Sequence, residues 1–307
     1  MRRAGVPAED GFVLPAVLVV LAAVAITAAI ATERFAVHLG ATSGRAESLR
    51  LQGLADGAAR LVAASLLNER QRGAPGLGLP EDGLPVGCPV PGARLLVAVQ
   101  DQAGLIDLNA SPRPLLEAAF RALGLPDREA GTVAAEVVDY RDPDSDPEPN
   151  GGAEAPQYRD QGLPYGPRNA PFRSPAEIGM LPHLGEVEAA RLRPFLTVYN
   201  ATGQFDPGPS PLGALLGGTV GEALRPYAAR SPRSVFAIRV VAASPSGRAQ
   251  REAVLSAGSV RQSNTGLLSW QAGFDGAPAL PEAAPHPACG RIAAALAAED
   301  PARRAGR

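Results

Sequence analysis

Lysine is absent from this chain; all 29 basic residues are arginine. Schiff-base chemistry, a phosphate-loop lysine and a lysine general base are therefore excluded together. Histidine is nearly absent too. His38, His183 and His286 lie far apart, and none forms a pair at metal-ligand spacing. Two cysteines, Cys88 and Cys289, are too few for a four-sulfur zinc site. No nucleophile elbow, Walker loop or dinucleotide-binding glycine fingerprint is present. A net charge of −2 supplies no global basic field, so nucleic acid is not an expected partner. These absences together point away from an enzyme.

What is present begins with length. At 307 residues the chain can build one large domain or two ordinary ones. Its 34 glycines and 31 prolines call for many turns and long connections. From Phe12 to Thr32 no side chain is charged, and at about 1.5 Å per residue this run is about 31 Å of helix, enough for a bilayer core. Arg2 and Arg3 precede it, which predicts a cytoplasmic N-terminus and an exported remainder. A cleaved signal peptide is the rival reading, and Ala28-Ala29-Ile30-Ala31 imitates its small-residue cleavage site. The Gly11-Phe12 junction between polar leader and apolar run resembles the site cut by prepilin peptidase in pilins and pseudopilins. In that case Phe12 is mature residue one and Ala16 stands fifth, where most such subunits carry glutamate.

Past the apolar run, Leu51, Leu54, Ala58, Leu61, Val62 and Leu66 keep helical spacing. One helix from Phe12 to about Arg72 is expected, half membrane-embedded and half packed on a domain, with Gly73 to Gly92 a loop. Arg94–Val99 reads as a strand, with Gly104–Leu108 as its hairpin partner. Val235–Val241 and Glu252–Leu255 form a second hairpin around Pro245-Ser246-Gly247. Two hairpins so far apart imply one sheet interrupted by an insertion. The insertion is helical: Pro114–Leu123, Asp127–Tyr140 with Asp127 as N-cap, a capping-box start at Ser174-Pro175-Ala176-Glu177, and Glu186 to about Arg193. Beyond Gly258 only Arg291–Ala298 has helical promise.

The densest chemistry is the acidic stretch from Asp139 to Glu154. Asp142, Asp144 and Asp146 alternate, Asn150-Gly151 offers a turn and Glu154 closes the run. Hard oxygens at such spacing suit calcium, though the glycine and final glutamate do not fall at EF-hand offsets. A solvated acidic loop is the plain alternative. Ser174 to Leu196 resembles a helix–hairpin–helix module, which holds phosphate through hairpin amides, but few cations flank it. Cys88 and Cys289 would face an oxidising compartment, where they either pair with each other or both stay free.

Several segments in order resemble the K-type minor pseudopilins of type II secretion. They are the Gly11-Phe12 junction without a fifth glutamate, Asp101-Gln-Ala-Gly104-Leu-Ile-Asp107-Leu-Asn109, Asp139-Tyr-Arg-Asp142 with Asn150-Gly151, Gly162-Leu-Pro-Tyr-Gly-Pro-Arg-Asn-Ala-Pro-Phe172, and the pattern from Ser174 to Val198. The resemblance implies an α+β, pilin-like fold: a long N-terminal helix on an antiparallel sheet, with a large inserted α-helical domain. The expected order is a leader over 1–11, the assembly helix 12–72, a pilin-like part 73–109, the insert 110–230, a second pilin-like part 231–258 and a Pro/Ala-rich tail 259–307. It further implies calcium in the acidic insert, with Asp139, Asp142, Asp144, Asn150 and Glu154 as its ligands. The implied partners are prepilin peptidase, the inner membrane and the I- and J-type minor pseudopilins, at the tip of a periplasmic pseudopilus. The alternatives are a membrane-anchored helix–hairpin–helix nucleic-acid binder of competence type and a membrane-anchored hydrolase using the acidic loop.

Overall fold

The structure, a computed structural model, describes residues 13–215, 221–258, 266–273 and 286–298; within the first helix, side chains are described over 17–28 and from 44 onward. The chain divides into two units, Met1–Arg50 and Leu51–Arg307. The first helix, α1, runs Val13–Arg72. Over 17–28 its apolar side chains, among them Leu18, Val19, Val20 and Ile26, are exposed. Among the described residues no helix is long and apolar enough to cross a membrane. The expected span 12–32 is only partly covered by described side chains, and Gly11 and Phe12 lie outside the described residues.

In the second unit α1 turns Leu51, Ala55, Ala58, Ala59, Val62 and Leu66 inward. These recur at steps of three and four, so they form one stripe along the helix. The stripe packs on a five-stranded antiparallel sheet ordered β1-β2-β5-β6-β7. Its strands are β1 Val86–Val90, β2 Ala93–Asp101, β5 Val235–Ser244, β6 Gly247–Ser256 and β7 Gly266–Ala272. Leu95, Val97 and Val99 of β2 alternate toward α1 with Phe236, Ile238 and Val240 of β5. The period of two along each strand thus meets the period near 3.6 along the helix. A last helix, α7 (Pro287–Ala298), packs beside β1 and α1. A Cβ on Gly57 would lie 2.9 Å from Leu296 Cδ2, so this glycine permits the close approach of α7. Cys88 on β1 and Cys289 on α7 are joined in a disulfide, Cα to Cα 5.0 Å.

Between β2 and β5 the insert builds a separate core. Its helices are α2 Arg113–Ala122, α3 Asp127–Arg141, α4 Ala155–Asp160, α5 Glu186–Leu192 and α6 Pro211–Leu215, with a two-stranded parallel sheet of β3 Ile106–Asp107 and β4 Leu196–Thr197. Leu115, Phe120, Val133, Val137, Ile178 and Leu192 are all buried in this core.

The two-hairpin, interrupted-sheet expectation holds, with one pairing corrected. The neighbour of β2 is β1, reached through the Pro91-Gly92 turn, where Gly92 has φ 69°. Residues 104–108 leave the sheet because Asp101 Oδ1 accepts from Ala103 N at 3.0 Å and caps a 3-10 turn over Gln102–Gly104. The stretch from 73 to 92, expected as loop, therefore contributes an edge strand. The tail is also more than a tail: β7 and α7 both join the core shared by α1 and the sheet. Asp127 lies in the first turn of α3, whereas Pro126 occupies the N-cap without a side-chain bond. At Ser174 the hydroxyl caps Ala176 N as the spacing predicts, but Glu177 reaches Arg173 N, and a 3-10 turn forms in place of an α-helix.

The Asp101–Asn109 motif leads from β2 into the insert and organises its loops by side-chain hydrogen bonds. Asp107 accepts from Asn109 N and Ala110 N through Oδ1 at 2.7 and 2.9 Å, and from Ala201 N through Oδ2 at 2.9 Å. Asn109 then clamps one residue of a distant loop, accepting from Phe172 N at 2.7 Å and donating to Phe172 O at 2.9 Å. Asn109→Ala leaves both backbone groups of Phe172 without these partners. A loss of about 1–3 kcal/mol is expected, read as a lowered urea midpoint at unchanged slope.

Candidate functional site

The acidic stretch starts on α3 and ends at the first turn of α4. Asp139, on the last turns of α3, is fully buried, and its Oδ1 accepts from Glu148 N at 3.0 Å. The chain then reverses through Asn150 (φ 63°) and Gly151 (φ 122°). A Cβ on Gly152 would stand 2.4 Å from Asp139 Oδ2 and 2.4 Å from Glu148 N, so only glycine fits against the carboxylate there. Glu154, 1% exposed, sits at the N-cap of α4, where its N–H donates to Gln157 Oε1 at 3.0 Å.

This path gathers Asp142, Asp144 and Glu154, whose ligand oxygens all lie within 4.8 Å of one another. Asp139 Oδ2, Asp142 Oδ1 and Glu154 Oε1 are buried without a hydrogen-bond partner among the described residues. Unpaired buried carboxylates are costly, and each raises the others. Burial, then Asp139, Asp142 and Asp144, push the Glu154 carboxyl up to about 7. Burial pushes Asp139 up to about 6, against the donors Glu148 N and Ala153 N. Asp142 is raised by burial and by Asp144 and Glu148. The donor set is all hard oxygen, converging and undersupplied with positive charge, which is what a calcium-sized cation requires. The residues present fit such an ion.

Of the five expected ligands, the structure brings Asp142, Asp144 and Glu154 together and sets Asp139 beside them in electrostatic contact. Asn150 is exposed, and its observed contribution is its left-handed backbone. Asn169 escaped the spacing argument. It lies in the Gly162–Phe172 run, its Nδ2 donates to Asp144 O at 2.6 Å, and its Oδ1 is buried and unpaired. Only the unusual wording of that run signalled its importance. The run is held by Phe172, stacked on Tyr140 at 4.4 Å between ring centres, and by Arg168, which meets Glu177 at 3.2 Å. Glu136, one turn before Asp139, was missed as well. It is 1% exposed, pairs with His183 Nδ1, and is pushed up to about 7 chiefly by burial.

The resemblance to a helix–hairpin–helix is not kept at the level of shape. Pro175–Met180 is a 3-10 turn and α5 has 7 residues. Ile178, Leu181, Leu184, Ala189 and Leu192 all face the insert core, so the segment is a packing element.

A long helix on an antiparallel sheet, interrupted by a helical domain with an acidic pocket, is a pilin-like fold with an insert. Residues 96–201 match the family described as type II secretion system (T2SS), protein K. Among solved structures the chain is similar to one in the crystal structure of the GspK-GspI-GspJ complex from the enterotoxigenic Escherichia coli type 2 secretion system. The likeness has a TM-score of 0.52 at 14% identity and covers 78% of this chain and 99% of that one. No curated protein sequence matches the chain. The resemblance to the K-type minor pseudopilins drawn from the sequence motifs is thereby borne out, and with it the α+β pilin-like fold.

The raised carboxyls set a sign for pH dependence. Asp139 moves from 3.8 to about 6 and Glu154 from 4.5 to about 7, so the folded state binds more protons than the unfolded one between these limits. In a chelator, their contribution is complete below about pH 4 and is lost as pH rises through about 6–7. The thermal midpoint at pH 8 should therefore fall below that at pH 5, and Glu154→Gln should flatten the difference.

Proposed function

We propose that the chain is a minor pseudopilin of type II secretion that caps the tip of the periplasmic pseudopilus and helps initiate its assembly. The observation that carries the reading is the protein K family match over 96–201, within a fold likeness that spans 99% of the related chain. The related structure is a complex with GspI and GspJ, and the equivalent I- and J-type subunits are the proposed partners here. The chain acts without catalysis. Its apolar N-terminal helix anchors it in the inner membrane with the globular part outside the cytoplasm, and prepilin peptidase cuts between Gly11 and Phe12. Ala16 fits a terminal subunit, because a carboxylate at that depth needs the amine of a neighbour to offset its burial. The insert between β2 and β5 adds the bulk that prevents a further subunit from stacking above.

Calcium is proposed as a resident ion held by Asp142, Asp144 and Glu154, with Asp139 and Asn169 supporting it. Bound there, it offsets the mutual repulsion of these carboxylates and ties the acidic loop to α3 and α4. The chain's own groups place the oxygens: Gly152 admits Asp139, and Asn169 holds the Asp144 carbonyl.

Co-expression with a prepilin peptidase, followed by N-terminal sequencing, is expected to give Phe12 as the first residue. A different start, or no processing, overturns the pseudopilin reading. For the ion, calcium at about 100 times its Kd should stabilise the purified chain by about 2.7 kcal/mol, read as a raised thermal midpoint. Asp142→Asn with Glu154→Gln should abolish that rise, while an unchanged rise in the double variant removes the assignment.

A further inference from the structure

On the side of the sheet away from the α1 stripe, a cleft of about 480 Å³ separates the strands from the insert. Its floor is laid by alternate residues of three paired strands: Ala237 and Arg239 on β5, Glu252 and Val254 on β6, Ser269 and Gln271 on β7. The period of two puts these side chains on one face. The insert forms the wall, with Arg173 and Pro175 before α5 and Arg193, Pro194 and Leu196 after it.

Among the described residues three guanidinium groups line this cleft and Glu252 is its one carboxylate, in a chain whose net charge is −2. Arg239 Nε meets Glu252 at 2.9 Å, so that pair is internally balanced. Arg193 meets Glu186 at 2.8 Å, but Glu186 is 79% exposed and outside the lining, where water screens it. Arg173 has only its backbone N–H engaged, by Glu177 at 3.0 Å, and its guanidinium meets no carboxylate among the described residues. Positive charge is therefore in excess on the insert wall.

We infer that this cleft binds an extended acidic segment of a partner protein, with its carboxylates on Arg173 and Arg193 and its backbone against the polar floor. Guanidinium groups are matched to carboxylates by their planar fork of donors. Tyr199, Ser269 and Gln271 bring hydroxyl and amide groups to the lining, with Gln271 Nε2 donating to Ser269 Oγ at 3.1 Å and its amide oxygen left to accept from a peptide N–H. Pro175 and Pro194 add apolar surface that a peptide covers and a lone inorganic anion does not. The arginines stand on different elements instead of converging on one point, which suits charges spaced along a chain. The single carboxylate on the floor and the overall negative charge disfavour nucleic acid. The inference stands on the cleft alone and does not depend on the chain capping a fibre.

The test uses the full chain in detergent micelles and a fluorescein-labelled peptide, Asp-Asp-Glu-Val-Asp-Glu, followed by anisotropy at low salt. Saturable binding is expected. Arg173→Ser should weaken it about tenfold, Arg173→Lys should restore part of the loss, and Arg128→Ser, at an exposed position in the first turn of α3, should leave it unchanged. Matching thermal midpoints establish that each variant is folded. The proposal is overturned by absence of saturable binding, by equal binding of the Asn/Gln version of the peptide, or by an Arg173→Ser variant of unaltered affinity. Inorganic phosphate that displaces the peptide completely at equimolar concentration also overturns it, since the site then takes a small anion.

Discussion

The insert is organised around one electrostatic constraint, the burial of carboxyl groups in a place with too little positive charge to offset them. Asp139 and Glu154 are almost wholly removed from water, and Asp142 and Asp144 stand beside them. Burial of this kind is unfavourable unless the group is protonated, hydrogen-bonded or joined to a cation. The surrounding structure holds the oxygens in place regardless. Gly152 lets a backbone turn pass against Asp139, the Glu148 amide ties down one of its oxygens, and Asn169 grips the Asp144 carbonyl. The loop thus holds its carboxyl groups close together against their mutual repulsion.

Around that pocket, hydrogen bonds replace hydrophobic burial as the means of joining parts. The sheet and α1 share one apolar core and the insert has another. They are linked where Gln100 Nε2 on β2 donates to Pro209 O at 3.0 Å, and Asp101, Asp107 and Asn109 accept from five backbone amides in the segment that follows β2. Thr197 Oγ1 donates to buried Gln102 Oε1 at 2.7 Å. Directional bonds at such a junction set the angle between insert and sheet in a way that non-directional apolar contact does not.

Much of this was legible in order. Helical spacing from Leu51 to Leu66 marked the buried stripe of α1, and the strand pairs at Val235–Val241 and Glu252–Leu255 marked one hairpin of the sheet. Asp142, Asp144 and Glu154 were legible as a carboxylate cluster because they fall at short spacing in one turn-rich stretch, and the structure brings their oxygens together. The strand β1 was hidden by Gly87 and Pro89 within it, residues that weaken strand signals and are tolerated at an edge. Strand β7 was hidden because its partner β6 precedes it across a proline-free polar stretch with no hairpin signature. Asn169 was hidden for a different reason: it lies 25 residues from Asp144, and no periodicity connects a loop to a loop.

The sequence by itself determined the chemistry available and its rough places: an apolar N-terminal helix, an interrupted sheet, a helical insertion and a hard-oxygen cluster, with lysine chemistry excluded. Local spacing suffices for these because helices and strands answer to near neighbours along the chain. Tertiary structure alone decided which oxygens converge, that Cys88 and Cys289 meet across a separation of 201 residues, and that arginines from the insert and the sheet share a cleft. Those pairings are set by chain reversals between distant elements, and only the packed cores fix where such reversals bring two side chains within reach.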